Sequence, residues 1–322
     1  MERMTMAFWT TDDMPAQNGR TAIVTGTGGL GFQEALALAR AGADVILAGR
    51  NSEKGRNAVA AIVQEVPKAS VRFASLDLAS LDSIAAFGER TRAQCDRIDL
   101  LINNAAVMTP PSRLTTADGF ELQFGTNYIG HFALTAQLLP LLRKGQNPRV
   151  VTVSSIANRS ADIGFDDLQA ERAYKPMAVY GQSKLAQLIF AFELQRRSDI
   201  GRWGVASIAA HPGISRTDLI PNGAGRNSLF GLVRSALWFL FQPAAQGALP
   251  TLFAATSSDA RPGGYYGPNR FSETRGYPAI AEIPLRALDR QIALELWRRS
   301  EQLIGMPFAA ANDAPVSVRR AG

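Results

Sequence analysis

Short runs of consecutive apolar residues alternate with longer stretches whose apolar positions recur every three or four residues through the first two thirds of the chain. The runs at 22–25, 44–48, 71–74, 100–103, 150–153 and 205–209 read as strands. The stretches opening at Phe32 and Ser52, and those at 82–94, 119–142 and 177–195, read as helices. Strands that are apolar throughout need cover on both faces, and strict β/α alternation sets neighbouring strands parallel. The expected fold is therefore α/β, a parallel sheet between two helical layers. No repeat, low-complexity block or linker breaks the pattern. Residues 19–308 are expected to form one domain, after an extension at 1–18. The last third differs: 227–242 is unusually apolar, 263–267 reads as a short strand entered through a turn, 284–303 as a final helix, and 309–322 as a disordered tail.

Composition narrows the function classes. The formal net charge is +6, but basic residues run at most in pairs such as Arg196-Arg197 and Arg298-Arg299. Nucleic-acid binding needs a clustered stripe, so it is not expected, whereas anionic ligands are mildly favoured. The start carries Glu2, Asp12 and Asp13 and no apolar core, so it does not read as a signal peptide. The apolar stretch 229–241 is interrupted by Arg234 and is too short to span a bilayer. Cys95 is the single cysteine, which precludes an intrachain disulfide and fits a reducing, cytoplasmic setting. The two histidines, His131 and His211, fall in different elements, so no metal site is expected.

Candidate chemistry sits at the ends of the strands. Gly26, Gly28 and Gly31 form a G-x-G-x-x-G pattern between the first strand and the first helix. Glycines there let the backbone approach a diphosphate, and a helix N-terminus supplies donors and partial positive charge. The second strand ends in Gly49-Arg50-Asn51, with no carboxylate to accept from a ribose. Arg50 offers a fork suited to a 2′-phosphate, which favours NADP over NAD; otherwise it is a solvated residue at a helix start. Tyr180 and Lys184, four apart in a helical stretch, share one face. A nearby ammonium favours the phenolate, so the pair suits proton exchange with a substrate oxygen. Ser154 and Ser155 end the fifth strand, where ligands bind in open α/β sheets. Asn127 is a poor helix former in an apolar helix, which hints at a polar task.

Together these residues resemble the short-chain dehydrogenase/reductase family over about residues 19–270. The matches are Thr25-Gly26 through Gly31, Asp77-Leu78, Asn103-Asn104-Ala105-Ala106, Asn127, Ser155, Tyr180-x-x-x-Lys184 and Pro212-Gly213 with Thr217. The insertion with Phe165-Asp166-Asp167-Leu168, together with Gln182-Ser183-Lys184-Leu185 and His211-Pro212-Gly213, is similar to the retinol-dehydrogenase-like branch. The resemblance implies a Rossmann-type, doubly wound parallel sheet of about seven strands. It implies Tyr180 as general acid/base, Lys184 lowering its pKa and bonding the nicotinamide ribose, Ser155 orienting the substrate oxygen and Asn127 holding a relay water. Gly26, Thr27, Gly28, Leu30, Gly31, Arg50 and Asn51 would meet the adenosine diphosphate end, and Asp77 and Leu78 the adenine. Asn104, Ala105 and Ala106 would line the cleft, and Pro212, Gly213 and Thr217 would meet the nicotinamide. Dimerisation through the helices holding Asn127 and Tyr180 is one arrangement the resemblance implies, among others.

Two departures from the family pattern stand out. The glycine turn Thr25-Gly-Thr-Gly-Gly-Leu-Gly31 is one residue shorter than T-G-x-x-x-G-x-G, and Ala106 replaces the usual glycine. The apolar region 214–242 follows the sixth strand, where the family's substrate loop lies. It suits a lipophilic ketone, aldehyde or secondary alcohol; packing on the core or a subunit interface is the competing use, and shallow membrane contact a third. A nucleotide-binding sensor or scaffold that has lost turnover is the alternative class. The short glycine turn favours it, while the complete set Asn127, Ser155, Tyr180 and Lys184 argues against it.

Overall fold

A computed structural model describes residues 8–215 and 242–309. The described elements are β1 (Thr21–Thr25), α1 (Gly29–Arg40), β2 (Asp44–Gly49), α2 (Ser52–Glu65), β3 (Val71–Ser75), α3 (Leu81–Gln94), β4 (Leu100–Asn103), α4 (Gly130–Leu142), β5 (Arg149–Val153), α5 (Pro176–Gly201), β6 (Ala206–Ala210), α6 (Leu249–Thr256), β7 (Tyr265–Arg270), β8 (Arg275–Ile280) and α7 (Arg290–Ile304). The strands form one sheet in the order β3-β2-β1-β4-β5-β6-β7-β8. The first seven are parallel, and β8 runs antiparallel to β7. The sheet thus has eight strands where about seven were expected, and the seventh begins at Tyr265 rather than at 263. Strand order reverses between β1 and β4. Connections leave in opposite directions there and open a crevice at the carboxyl ends.

The apolar runs behave as strands buried on both faces, except β3, which lies at the sheet edge and is half-buried or exposed throughout. Alternate side chains separate cleanly: Ile23, Ile46, Leu101 and Val150 enter one core with α4 and α5. Ala22, Val24, Val45, Leu47, Leu100 and Ile102 enter another with α1 and α6. This is the period-two geometry of a pleated strand. In the first core Tyr128, Phe132, Phe190, Trp297 and Phe308 pack edge-to-face or stacked. The extension before β1 is tied to the second core by Trp9, whose ring packs edge-on against Phe253.

The region expected to be one helix over 119–142 is not uniform. Thr115 and Glu121 form an isolated bridge, a π-helical turn follows over Phe124–Ile129, and α4 begins at Gly130. Gly130 is required because a Cβ there would come within 2.3 Å of the Leu78 carbonyl oxygen. The π turn adds a residue to the helical spacing and so re-aims Asn127, a common device at functional sites. Thr217, most of the apolar region 214–242 and all but one residue of the expected tail lie outside the described residues.

One core residue breaks the apolar rule. Glu34 on α1 is fully buried, and neither carboxylate oxygen finds a hydrogen-bond partner; Thr251 on α6 lies beside it. Burial pushes its pKa up to about 8. In the unfolded chain the acid ionises near its ordinary value of 4.5, so between about 4.5 and 8 the folded state binds more protons. Stability should therefore fall as pH rises through that window. Glu34→Met should remove the fall: its melting temperature should exceed that of the wild type by several degrees at about pH 8.5, with a smaller gap at about pH 5. Thermal melts at both pH values check this, and an equal gap at both would contradict it.

Candidate active site

At the β1–β4 crevice the chain leaves β1 through Gly26, whose φ of +97° suits only glycine. Gly31 must also be glycine, because a Cβ there would lie 2.3 Å from the Gly26 carbonyl oxygen. The shortened turn is accommodated by α1 starting at Gly29, with Gly28 as a cap that offers no side chain. Nothing lies within 4 Å of where a Gly28 Cβ would point. Gly28 is exposed, no side chain caps the first N–H groups of α1, and Leu30 is buried beside them. Thr27 leans over the end of β2, its methyl 3.0 Å from the Cβ position of Gly49. Next to it Arg50 is exposed and forms no hydrogen bond or ion pair with a described residue. Asn51 is not free: its side chain caps α2 by accepting from Lys54 N at 2.9 Å. Asp77 uses one carboxylate oxygen to hold the Ala79 amide at 2.9 Å, and Leu78 is buried against the start of α4.

The floor of the crevice is built on one hydroxyl. Thr25 Oγ1 accepts from the amides of Asn104 (2.9 Å) and Ala105 (3.0 Å), and Asn104 Nδ2 donates to the Thr25 carbonyl at 2.8 Å. Ala106 is absent from the positive-φ residues, so its methyl costs no backbone strain where glycine is usual. His131 Nε2 lies 2.9 Å from Thr25 Oγ1, and His131 Nδ1 lies 2.8 Å from the Asn127 carbonyl. A carbonyl only accepts, so Nδ1 carries the proton and Nε2 accepts from Thr25. Burial holds the His131 pKa down at about 4, which keeps the ring neutral.

The expected catalytic side chains converge, with one correction. Ser154 is spent: its hydroxyl donates to the Lys184 carbonyl at 2.7 Å and accepts from Asn158 Nδ2 at 2.9 Å. Ser155 has only a long contact from the Ala157 amide, 3.3 Å, and its hydroxyl faces the Tyr180 phenol. The Asn127 side chain is committed to Val107, accepting from the amide at 2.7 Å and donating to the carbonyl at 2.9 Å, with a further donation to Ser183 Oγ at 3.0 Å. Its carbonyl accepts from His131, which leaves one of its two lone pairs for another donor.

The correction concerns Lys184. Its ammonium is buried, donating to the Val153 carbonyl at 3.0 Å and to Gln187 Oε1 at 2.8 Å, and it stands 5.7 Å from the centre of the Tyr180 ring. Burial brings the Lys184 pKa down to about 7. Burial also pushes Tyr180 up to about 12, with Ser155 pulling the other way. The expected lowering of the phenol by the ammonium is thus outweighed by desolvation in the ligand-free protein.

On the far wall, Pro212 O accepts from Ser215 Oγ (2.8 Å) and Gln242 Nε2 (2.6 Å). Gly213 has φ +63° and packs on the Thr274 carbonyl. His211, beside them, accepts from the Gly213 amide at Nδ1 (3.2 Å) and faces Glu273 at Nε2 (2.8 Å). Sequence reading missed His131, Gln187 and Gln242. His131 and Gln187 stand four residues after Asn127 and three after Lys184, a spacing that puts each on its partner's helix face; nothing marked Gln242. No group of metal-ligating side chains occurs among the described residues.

His131 should therefore be neutral with its proton at Nδ1, while the Gly213 amide places the His211 proton at Nε2. Nitrogen-15 spectra of histidine-labelled protein, assigned with a His131→Asn variant, should show the His131 tautomer unchanged from about pH 6 to about pH 8. An imidazolium signal from His131 in that range would contradict the network.

Residues 20–224 match the family model described as short chain dehydrogenase. Mouse retinol dehydrogenase 13 is 39% identical over 297 residues, covering 90% of this chain and 85% of that protein. Human polyprenol dehydrogenase is 36% identical, covering 91% and 87%. A crystal structure of an uncharacterised protein from Mycobacterium paratuberculosis is 37% identical, with a TM-score of 0.78 over 94% of this chain and 99% of that one.

Proposed function

Because the chain belongs to the short-chain dehydrogenase family, on its retinol-dehydrogenase-like branch, and is thus an oxidoreductase, we propose that it is NADP-dependent and interconverts a lipophilic alcohol with its aldehyde or ketone. The observation that carries the reading is the half-buried Ser155 set with the buried Tyr180 and Lys184 beside the open glycine turn. The turn fits a dinucleotide: Gly26 and Gly31 bring backbone to backbone, and the first amides of α1 have no side-chain cap. Gly28 and Thr27 would hold the diphosphate, Arg50 the 2′-phosphate, and Asn104 and Ala105 the cleft wall. When bound, the cofactor supplies or accepts the hydride.

The chain's own residues handle the proton. Ser155 holds the substrate oxygen. Tyr180 donates its phenolic proton to that oxygen as a carbonyl is reduced and recovers it when an alcohol is oxidised. With its pKa near 12, Tyr180 keeps its proton at neutral pH and is ready to act as an acid. Lys184, released from Gln187 and Val153, would bond the nicotinamide ribose and bring its positive charge nearer the phenol. Named relatives that act on retinol and polyprenol support an apolar substrate.

Tyr180→Phe should lower turnover by roughly 10² to 10⁴ while NADPH affinity, followed by cofactor fluorescence, stays within about twofold. Carbonyl reduction should be nearly level through neutral pH, because the acid form of Tyr180 persists. Alcohol oxidation should rise with pH as the phenolate becomes accessible. Initial rates in both directions check the pair, and oxidation that fell with rising pH would sink Tyr180 as the base. Arg50→Ala should weaken NADPH about tenfold and leave NADH unchanged, the loss of one charge-assisted contact. Equal effects on both cofactors would remove Arg50 from the 2′-phosphate site.

A further inference from the structure

The turn joining β7 to β8 spans residues 271–274. It lies at the carboxyl edge of the sheet, because β7 runs parallel to β6 and ends there. Phe271, Ser272 and Glu273 have φ of +51°, +52° and +64°. None is glycine or asparagine, the residues that enter this region readily. The Thr274 amide and hydroxyl both donate to the Phe271 carbonyl, at 3.1 and 2.8 Å. The two central residues thus share the positive φ of a type I′ hairpin turn without the residues that normally form one. Strain of this kind persists only where the surroundings over-determine it, and it gathers at ligand sites.

The surroundings here are explicit. The Glu273 carboxylate accepts from Arg159 Nη2 at 2.6 Å and pairs with His211 Nε2 at 2.8 Å, while its other oxygen accepts the Glu282 amide at 2.8 Å. Arg159 Nη1 donates to the Ser272 carbonyl at 3.2 Å. The Ile214 amide donates to the Thr274 carbonyl at 2.8 Å, beside Gly213. Arg159 stands four residues after Ser155, and 211–214 is the segment that follows β6. The turn is therefore fastened to both walls of the candidate site, and a hairpin needs no such fastening to close. Phe271 opens this fastened turn and is 72% exposed, with Ile214, 38% exposed, on the adjoining segment. A packing residue would be buried, and an idle loop would relax out of the left-handed region.

We propose that Phe271 is a specificity-determining residue that contacts the apolar body of the substrate at the mouth of the site. This deepens the oxidoreductase reading above and rests on it. Substrates with a chain or ring extending several carbons from the reacting carbon would meet the ring, and short polar carbonyls would not.

The test uses a series of linear ketones of increasing length with the full chain, Phe271→Ala and Phe271→Gly. Turnover is followed with NADPH, and ketone binding separately by calorimetry. Both variants should match the wild type on the shortest ketone and lose about tenfold in kcat/KM and in affinity on the longest, the scale of a few lost methylene contacts. Phe271→Gly should also melt about 2 °C higher, because glycine relieves the strained φ. Chain-length selectivity unchanged in both variants would overturn the proposal. Weaker binding to anionic phospholipid vesicles with ketone affinity intact would assign the ring to a membrane surface and overturn it too. Absence of turnover on every ketone and alcohol tried, together with a tenfold loss of long-ketone affinity in Phe271→Ala, would keep the contact and remove the oxidoreductase reading.

Discussion

One buried hydroxyl fastens the crevice together. Thr25 Oγ1 receives two amides from the strand-end segment after β4 and gives its proton to His131 on α4, so three elements meet at one atom. Without it, two amides and one imidazole nitrogen would be left without partners, each costing about 1–3 kcal/mol where buried. The position is not arbitrary. It is the point where the strand order reverses and where the backbone must open for a ligand while staying closed to water beneath. His131 extends the fastening to Asn127, and Asn127 in turn grips Val107 by both backbone groups. The glycine turn and the helix carrying Tyr180 are thereby referred to one rigid floor, since Asn127 also reaches Ser183 on α5.

Burial is the second theme of the site. Removing Tyr180 and Lys184 from water raises the acid and lowers the base, so both drift toward their neutral forms. A dry site of this kind makes the arrival of any fixed charge consequential, because a field that water would screen acts at nearly full strength. The ammonium held by Gln187 is then best seen as a charge kept in reserve one helical turn below the phenol. Its partners are a carbonyl and an amide oxygen, which satisfy it without the grip of a carboxylate.

Much of this was legible beforehand, and the failures have physical causes. Apolar runs at β1, β2, β4 and β5 read correctly because both faces are buried and the polar residues Thr25, Asn103 and Thr152 are buried too. Ser155 was separable from Ser154 only by the resemblance; the structure adds the reason, since Ser154 is consumed by the Lys184 carbonyl. The second strand of the β7–β8 hairpin hid because the turn contains Ser272 and Glu273 in place of Asn-Gly, and because Gly276 and Pro278 are poor strand residues. The π turn at Asn127 hid because an inserted residue leaves no mark in a uniformly apolar helix. Lys184's position resisted prediction for a different reason: spacing gives the helix face, but the neighbour that wins the ammonium is decided by side-chain reach, and Gln187 is long enough to win it.

The eighth strand has a consequence at the scale of the whole sheet. In its pairing with β7, Pro268 faces Pro278 and the register then slips by a bulge before Arg270 meets Arg275. Pro278 has no N–H to offer, and like charges end the ladder, so this rim is a poor template for a further strand. Extension of the sheet from one molecule into the next is thus discouraged on this side, and contact between copies is steered toward the helical layers. A strand added for the sake of its turn also acts as a guard against edge-to-edge aggregation.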